Sequence, residues 1–569
     1  MASYSLQVML KLQFGSLTET ELATVFVDFK KAYDSVPRDL LWRALMKIGV
    51  HGGILDILQQ MYRNVRLQVK VNSDIGAEFE SSIGVKQGDP LSPLLFGLYI
   101  DRFAEFLKKR CPNGDIKCAD KIIQLIFYAD DLVLMSHNPT LLQEYLHVLE
   151  LFCQASGMCV NVAKTEVVIF FKKRARSVQF LFNHKLIKES KEFVYLGVVF
   201  HNGGFRGSVK KAMSRRAAKA KSSLFGMMGT CQGLKVHDIQ VLNTLMNGVV
   251  VPSAVYGSEI WGPDLINGLK NDLENKTLEE VQWVFLRMAL WVGKSTPHAC
   301  MLKETGRQLI ACRVIQSTIG FWNRVVTLGE NHLIAQVMKE NMTFMDGGWS
   351  QNFEVMMQKL CGHPVQVVAA NGNFVKVDKE HIMSCTRTKI QKSGNHHIER
   401  IATKVTAAIG SKVRACPDDI RDGFKAFKYK AWFQYDEIER PIIMHVQDIS
   451  DIRTLARFRC GTHWLATEVA RSNHVARSER ICPCCNSGER EDELHVFFCD
   501  AYEHIKTSFP AMFNSDSYVE LRNAYLNKNN DLDNRMNSFV NRDDKTYINE
   551  LAGFLRRSIK IRKDLTNPQ

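Results

Sequence analysis

The 569 residues hold no apolar run of the roughly eighteen that a membrane-crossing helix needs, which excludes that class of integral protein. Met1 to Phe14 lacks a charged n-region, a long apolar stretch and a small-residue cleavage site, so no secretory leader is read there. Acidic residues fall short, with 60 Asp and Glu against 74 Lys and Arg, and the net charge is +14. That balance points to a polyanionic partner, nucleic acid first and an anionic membrane second. Paired cysteines are also scarce. The 15 cysteines mostly scatter singly, as in a reducing compartment, except where Cys482, Cys484, Cys485 and Cys499 crowd together and suggest a metal. What is present is a globular apolar content of 46% on a chain long enough for about three to five domains or subdomains. The expectation is an intracellular, basic, multidomain protein.

Tyr128-Ala129-Asp130-Asp131 joins an apolar run, Ile122 to Phe127, to another, Leu132 to Met135, and reads as a β-hairpin turn. At an effective dielectric of about 20, two ionised carboxylates about 4 Å apart repel by roughly 4 kcal/mol, so a turn holding both calls for cations. Two-metal phosphoryl transfer uses such carboxylates. Ala23 to Phe29 reads as a buried strand presenting Asp28, after which Pro37 opens a helix whose Leu41, Ala44, Leu45 and Ile48 repeat until Gly49. Gly84-Val85-Lys86-Gln87-Gly88-Asp89-Pro90-Leu91-Ser92-Pro93 fixes an unusual backbone path before an apolar helix over Leu94 to Phe106. Ser136 and His137 lie nearby without a pairing that would make a nucleophile and base, and read as structural.

In this order the segments resemble the reverse transcriptase of LINE-like, non-LTR retrotransposons. Phe26 to Val36 resembles that family's first catalytic motif, Gly84 to Pro93 its template and nucleotide motif, and Phe127 to Asp131 its catalytic hairpin. Gly157 to Thr165 and Tyr195-Leu196-Gly197 match the two motifs that follow. The resemblance implies that Asp28 and Asp130 ligate two Mg²⁺ (or Mn²⁺) ions, with Asp131 in the carboxylate cluster. It implies Tyr33 as the gate against a ribose 2′-OH, Phe29 and Gln87 at the nucleotide, and Lys164 near the triphosphate. Tyr195, Leu196 and Gly197 would support the primer. Group II intron-type maturases share this palm, but the form Lys30-Lys31-Ala32-Tyr33-Asp34 and the downstream cysteines disfavour them.

Beyond the palm, Arg206, Lys210, Lys211, Arg215, Arg216, Lys219 and Lys221 follow one another with no acidic residue among them. Charges of one sign on a helix repel unless an anion lies against them, which suits a thumb helix tracking primer–template phosphates. Lys172, Lys173, Arg174 and Arg176 form a smaller basic cluster. Residues 236–340 have helical apolar periodicity. Val251 to Gly262 resembles a segment found after the polymerase in such elements, and its Tyr256 and Trp261 read as core packing. Composition shifts at Asp346 to Ser350 and Ala369 to Asn395 mark candidate linkers. Near the end, Cys482, Cys485, His495 and Cys499 supply three thiolates and an imidazole, a ligand set for structural Zn²⁺, with Cys484 an alternative ligand. Many LINE-like proteins carry such a knuckle. Arg457-Phe458-Arg459-Cys460-Gly461-Thr462-His463 adds basic and aromatic groups suited to RNA. The terminal Arg556, Arg557, Lys560, Arg562 and Lys563 either extend that surface or keep a last helix soluble.

Only 27 residues precede Asp28, and Gln13-Phe14-Gly15 resembles the tail of the family's fingers region. The expectation is a truncated retroelement copy or incomplete gene model, without the upstream endonuclease. Asp543-Asp544-Lys545, in a polar segment without flanking strands, does not make a downstream nuclease. The fold class expected is α+β: a right-hand polymerase palm, with a small antiparallel sheet and helices, then helical thumb, helical connector and a small zinc-binding module. The expected divisions are palm 1–200, thumb and connector 201–345, a linker or helical region 346–440, zinc-knuckle region 441–520 and basic tail 521–569. The implied function is an RNA-directed DNA polymerase working on an RNA template, a DNA primer or target and deoxynucleoside triphosphates, as a ribonucleoprotein of nucleus or cytoplasm. The alternative is an inactive remnant that binds RNA through thumb and knuckle.

Overall fold

The computed structural model describes residues 21–118, 121–170, 178–202, 204–270, 276–294, 296–328, 332–343, 349–369, 374–389, 445–446, 448–460, 463–465, 479–527, 531–542 and 544–566. Gln13 to Gly15, Lys172, Lys173, Arg174, Arg176, Gly461, Thr462 and Asp543 lie outside them. Two compact units divide the chain. The first takes in the chain through Ala212, Gly257–Asn267 and Thr318–Val377; the second takes in Met213–Tyr256, Gly268–Ser317 and the chain from Asp378.

The first unit is built on a five-stranded sheet. Its strands are β1 (Leu22–Val27), β2 (Leu125–Tyr128), β3 (Asp131–Ser136), β4 (Glu166–Phe170) and β5 (Lys188–Glu189), in the order β5-β4-β1-β3-β2. Pairing is antiparallel except between β4 and β5. Alternation along the strands sorts the side chains. Val25, Val27, Leu132, Leu134, Val167 and Ile169 join a core with helices α1 (Arg38–Lys47), α2 (Ser92–Ile100), α3 (Arg102–Arg110) and α4 (Pro139–Ser156). Leu41, Ala44 and Leu45 of α1 are buried as their spacing requires, while Ile48 is exposed beyond its last turn. The single helix expected over Leu94 to Phe106 is instead two, meeting at Asp101.

The other face of the sheet carries Phe26. A hairpin of β6 (Glu192–Tyr195) and β7 (Val198–His201) covers it, with Phe193 stacked on Phe26 at 4.3 Å between centroids. Leu196 at φ +48° and Gly197 at φ +74° form the two-residue turn, both in the left-handed region that tight hairpins use.

The candidate linker at Ser350 is a helix start. Trp349–Cys361 is helical, and Trp349, 1% exposed, stacks on Phe353 at 5.3 Å. Past Ala369, Val375 and Val377 give their carbonyls to Trp322 and Asn323, so this stretch is also tied down. Apolar rings decide both cases against the local polar composition.

In the second unit the segment expected as a basic tail is a core helix. Lys545–Thr566 buries Tyr547, Ile548, Leu551, Phe554 and Leu555, and packs against Ile449–Arg459. Arg556 pairs with Asp448 and Asp451, and Arg562 with Glu491 at 2.7 Å, so these cations are neutralised internally. Asp544 caps the helix, accepting from Tyr547 N–H at 2.9 Å.

Candidate active site and metal centre

Val27 pairs with Leu132 at the end of the β1–β3 ladder. One step further along that register, Asp28 stands opposite Asp131, the first residue of β3. Ala129 and Asp130 form the two-residue turn between β2 and β3, with Tyr128 paired to Asp131. Ala129 takes φ +54°, the left-handed value such a turn needs at its first central position. Asp131 is half-buried, and its carboxyl is held above the usual range by burial, then by the charges of Asp130 and Asp28.

On the other flank of β1 the register slips. Pairing runs to Phe26 and Glu166, then resumes at Phe29 and Val160. Residues 161–165 loop out as a turn, with the N–H groups of Lys164 and Thr165 donating to Asn161 O at 3.0 and 2.9 Å. Thr165 Oγ1 accepts the Asp28 N–H at 3.3 Å, and Lys164 is carried to the same place. Asp28, Asp131, Lys164 and Tyr195 then line one cavity of about 230 Å³ with Phe26, Val27, Leu132 and Phe193. Tyr195 is 2% exposed, and its hydroxyl has no hydrogen-bond partner among the described residues. Burial, then Asp131 and Tyr128, push that phenol up.

Tyr33 stacks on Phe96 at 4.6 Å, and burial, followed by Asp130, raises its phenol. Gly84 and Val85 bond back to Val36 and Tyr33, so the Gly84 to Pro93 loop is fastened beside Tyr33. Gly84 sits at φ +83°, where a Cβ would stand 2.7 Å from Asp34 O. The exposed Gln87 donates to Asp34 Oδ1 at 2.9 Å. Arg38, which the sequence reading missed, holds this loop: its guanidinium reaches Gly84 O, Tyr62 O and Ser81 O at 3.0, 2.9 and 2.7 Å. An arginine at the first turn of a helix gave no signal of that role. Phe29 is 5% exposed, and its side chain packs in the palm core. Ser136 and His137 bond to Asp115 and carry structure, as their lack of pairing implied.

The long helix α5 (Gly204–Gly233) buries Val209, Ala212, Ala217, Ala220 and Leu224. Lys210, Lys211, Arg215 and Lys219 are exposed, and Arg216 and Lys221 are half-buried; the side chain of Arg206 lies outside the described residues. Lys211 pairs with Glu192, and Arg216 lies over the Tyr256 ring at 4.3 Å. Trp261 is buried as expected, but Tyr256 is half exposed under that guanidinium, not in the core.

In the second unit, Cys482, Cys485, His495 and Cys499 bring their ligand atoms within 4.8 Å of one another. Cys482 N–H bonds Glu489 O at 2.8 Å in a short hairpin, and Cys484 N–H points at Cys482 Sγ at 3.4 Å. Glu489 contacts His495 Nδ1 at 3.1 Å, leaving Nε2 toward Cys485 Sγ at 3.4 Å. A carboxylate on the far ring nitrogen is the usual orienting partner of a metal-bound histidine. Burial lowers the imidazole, but Cys482, Cys485 and Glu489 outweigh it and raise His495 to about 9. The donor set fits a metal ion. Cys484 instead takes the Tyr502 hydroxyl at 3.5 Å, though with Cys482 and Glu491 it also forms a smaller set.

Of the neighbouring segment expected to meet RNA, Arg457 is exposed, but most of the rest faces inward. Phe458, Arg459, Cys460 and His463 are all buried. Arg459 pairs with Glu304 at 2.8 Å and His463 contacts Glu493 at 2.8 Å, both out of water.

Residues 9–200 match the family described as reverse transcriptase (RNA-dependent DNA polymerase). The chain carries a reverse transcriptase domain of the non-LTR retrotransposon kind. It is 29% identical over 188 residues to a Pol polyprotein of the type-1 retrotransposable element R2 from Popillia japonica, covering 32% of this chain and 31% of that protein. An uncharacterized 149 kDa protein of transposon TX1 from Xenopus laevis is 26% identical over 310 residues, 53% of this chain and 22% of that one. A probable RNA-directed DNA polymerase from transposon BS of Drosophila melanogaster is 24% identical over 246 residues, 42% and 26% of the two chains. The chain thus spans about a fifth to a third of the length of these three relatives. Among the described residues, no helix of this chain is long and apolar enough to cross a membrane.

Proposed function

We propose that the reverse transcriptase domain copies RNA into DNA by two-metal nucleotidyl transfer onto a DNA primer 3′-OH. The observation that carries this reading is the convergence of Asp28, Asp131 and Lys164 on one cavity where the central strands end, with Asp130 in the adjoining turn. Hard carboxylate oxygens that repel one another are donors suited to Mg²⁺ or Mn²⁺. Such ions, when bound, neutralise phosphate charge and activate the primer oxygen.

The chain's own groups supply the rest. Asp28, Asp130 and Asp131 hold the cations, Lys164 faces the triphosphate, and Gln87 contacts nucleotide and template. Tyr33, braced by Phe96, blocks a ribose 2′-OH. Tyr195, Leu196 and Gly197 support the primer end from the hairpin over the sheet. Phosphoryl transfer depends on positioning and charge neutralisation more than on covalent chemistry, and both are what these residues would supply. The cationic row on α5 suits template–primer phosphates. Cys482, Cys485, His495 and Cys499 hold a structural Zn²⁺, with no ligand position left for catalysis. The test is extension of a DNA primer on an RNA template by the full chain, with deoxynucleotides used in preference to ribonucleotides. Tyr33→Ala should narrow that preference; unchanged discrimination would remove Tyr33 as the gate.

A further inference from the structure

The second compact unit contains a cavity of about 310 Å³, lined by residues between Asn243 and Gln316. That size is at the lower bound for small-molecule sites, at roughly 300 Å³. One wall comes from the helix Ile239–Leu245, which runs directly into a π-helical turn, Met246–Val250. Such turns are rare and recur at functional sites. They present Asn243 and Asn247 to the cavity.

Arg307 enters from the connection between His298–Thr305 and Ile310–Thr327, just after Gly306 at φ +62°. Its Nε donates to Gln282 Oε1 at 3.1 Å, Nη1 to Asn243 Oδ1 at 3.2 Å and Nη2 to Asn247 Oδ1 at 3.1 Å. All three acceptors are neutral, and Arg307 makes no ion pair among the described residues. Glu279 is engaged elsewhere, accepting from Ala311 N–H at 3.0 Å and Gln282 Nε2 at 3.4 Å. Burial lowers the guanidinium to about 10. Beyond those dipoles the guanidinium lies over the Phe285 ring at 5.3 Å and within the field of the Glu279 carboxylate, which does not bond to it, so a direct anionic partner is left for the cavity to supply.

The hydrogen bonds also fix polarity. Arginine only donates, so each carboxamide must turn its oxygen to Arg307, leaving its N–H₂ group for something else. Arg313, whose Nη1 bonds Gln316 Oε1 at 3.0 Å, lines the same space. The cavity therefore offers donors and positive charge, and its complement is an anionic oxygen cluster.

We propose that this cavity binds a phosphate group between Arg307, Arg313 and the carboxamides of Asn243 and Asn247. The phosphate belongs either to a nucleic-acid strand or to free phosphate or nucleotide. This site is separate from the polymerase carboxylates and is tested without added Mg²⁺.

The experiment uses the full chain, inorganic phosphate and a short single-stranded RNA, with thermal shift and titration calorimetry as readouts. Phosphate or RNA should stabilise the wild type, and Arg307→Gln should weaken binding at least about tenfold. Asn247→Asp separates binding from folding. It gives Arg307 an internal carboxylate, so the ligand-free melting temperature should hold or rise while the ligand response is lost. A drop in RNA affinity for Asn247→Asp, with phosphate competing, assigns a strand phosphate. A drop in phosphate response alone assigns a free one. If Asn247→Asp binds both probes as wild type does, or if wild type responds to neither, the proposal is overturned.

Discussion

Asp28 stands across from Asp131 in the palm sheet, one residue past the Val27–Leu132 pair. Two strands far apart in sequence thus deliver carboxylates to the same end of the sheet, and Asp131 is raised by burial, Asp130 and Asp28 in turn. A carboxyl raised in the folded state favours folding while protonated, and that contribution is lost as pH rises through its folded value. In metal-free protein, stability from this group should therefore fall as pH climbs above the ordinary carboxylate range. Mg²⁺ should restore it near neutral pH and have no effect at about pH 4, where carboxylates protonate. Asp131→Asn should raise the metal-free melting temperature and blunt the Mg²⁺ response. A Mg²⁺ shift that persists in acid would contradict the assignment.

Ala129 holds φ +54° in the turn between those strands, a conformation that costs a residue with a Cβ about 1–2 kcal/mol. Ala129→Gly should stabilise the chain by about 1 kcal/mol in urea unfolding. Destabilisation would mean that the Ala129 methyl packs usefully at this turn.

Tyr195 buries a hydroxyl beside Asp131 with no partner among the described residues. Tyr195→Phe removes the unsatisfied group and should raise stability by about 1 kcal/mol. A loss of that size would reveal a hydrogen bond to that hydroxyl.

The thiolate–imidazole cluster should bind about one Zn²⁺ per chain, measured by metal analysis after gel filtration. Cys499→Ser should abolish retention and lower the melting temperature, because a structural zinc contributes directly to folding. Cys484→Ser should keep the metal. Zinc loss in Cys484→Ser with retention in Cys485→Ser would reverse the ligand register.

The palm was largely legible because its chemistry is written locally: a strand ending in Asp28, a carboxylate turn, a glycine-rich loop. The slip that brings Lys164 beside Asp28 was not, since it depends on pairing between distant strands. Buried charge was the main misreading. Arg459 and His463 look like surface RNA ligands until Glu304 and Glu493 are placed against them. Glu304 lies 155 positions from Arg459, and no local pattern marks that pairing. Trp349 likewise opens a packed helix within a stretch whose glycines read as a linker.

The most direct measurement is Mg²⁺-dependent extension of a DNA primer annealed to an RNA template. Extension by the full chain is expected, with loss of more than about 100-fold in Asp28→Asn and in Asp130→Asn, since even the outer partners of a metal ligand cost about 10- to 100-fold. RNA retention should be unchanged in both. Extension that survives both substitutions, or wild-type chain that holds RNA in a salt-sensitive way yet extends nothing, would contradict it.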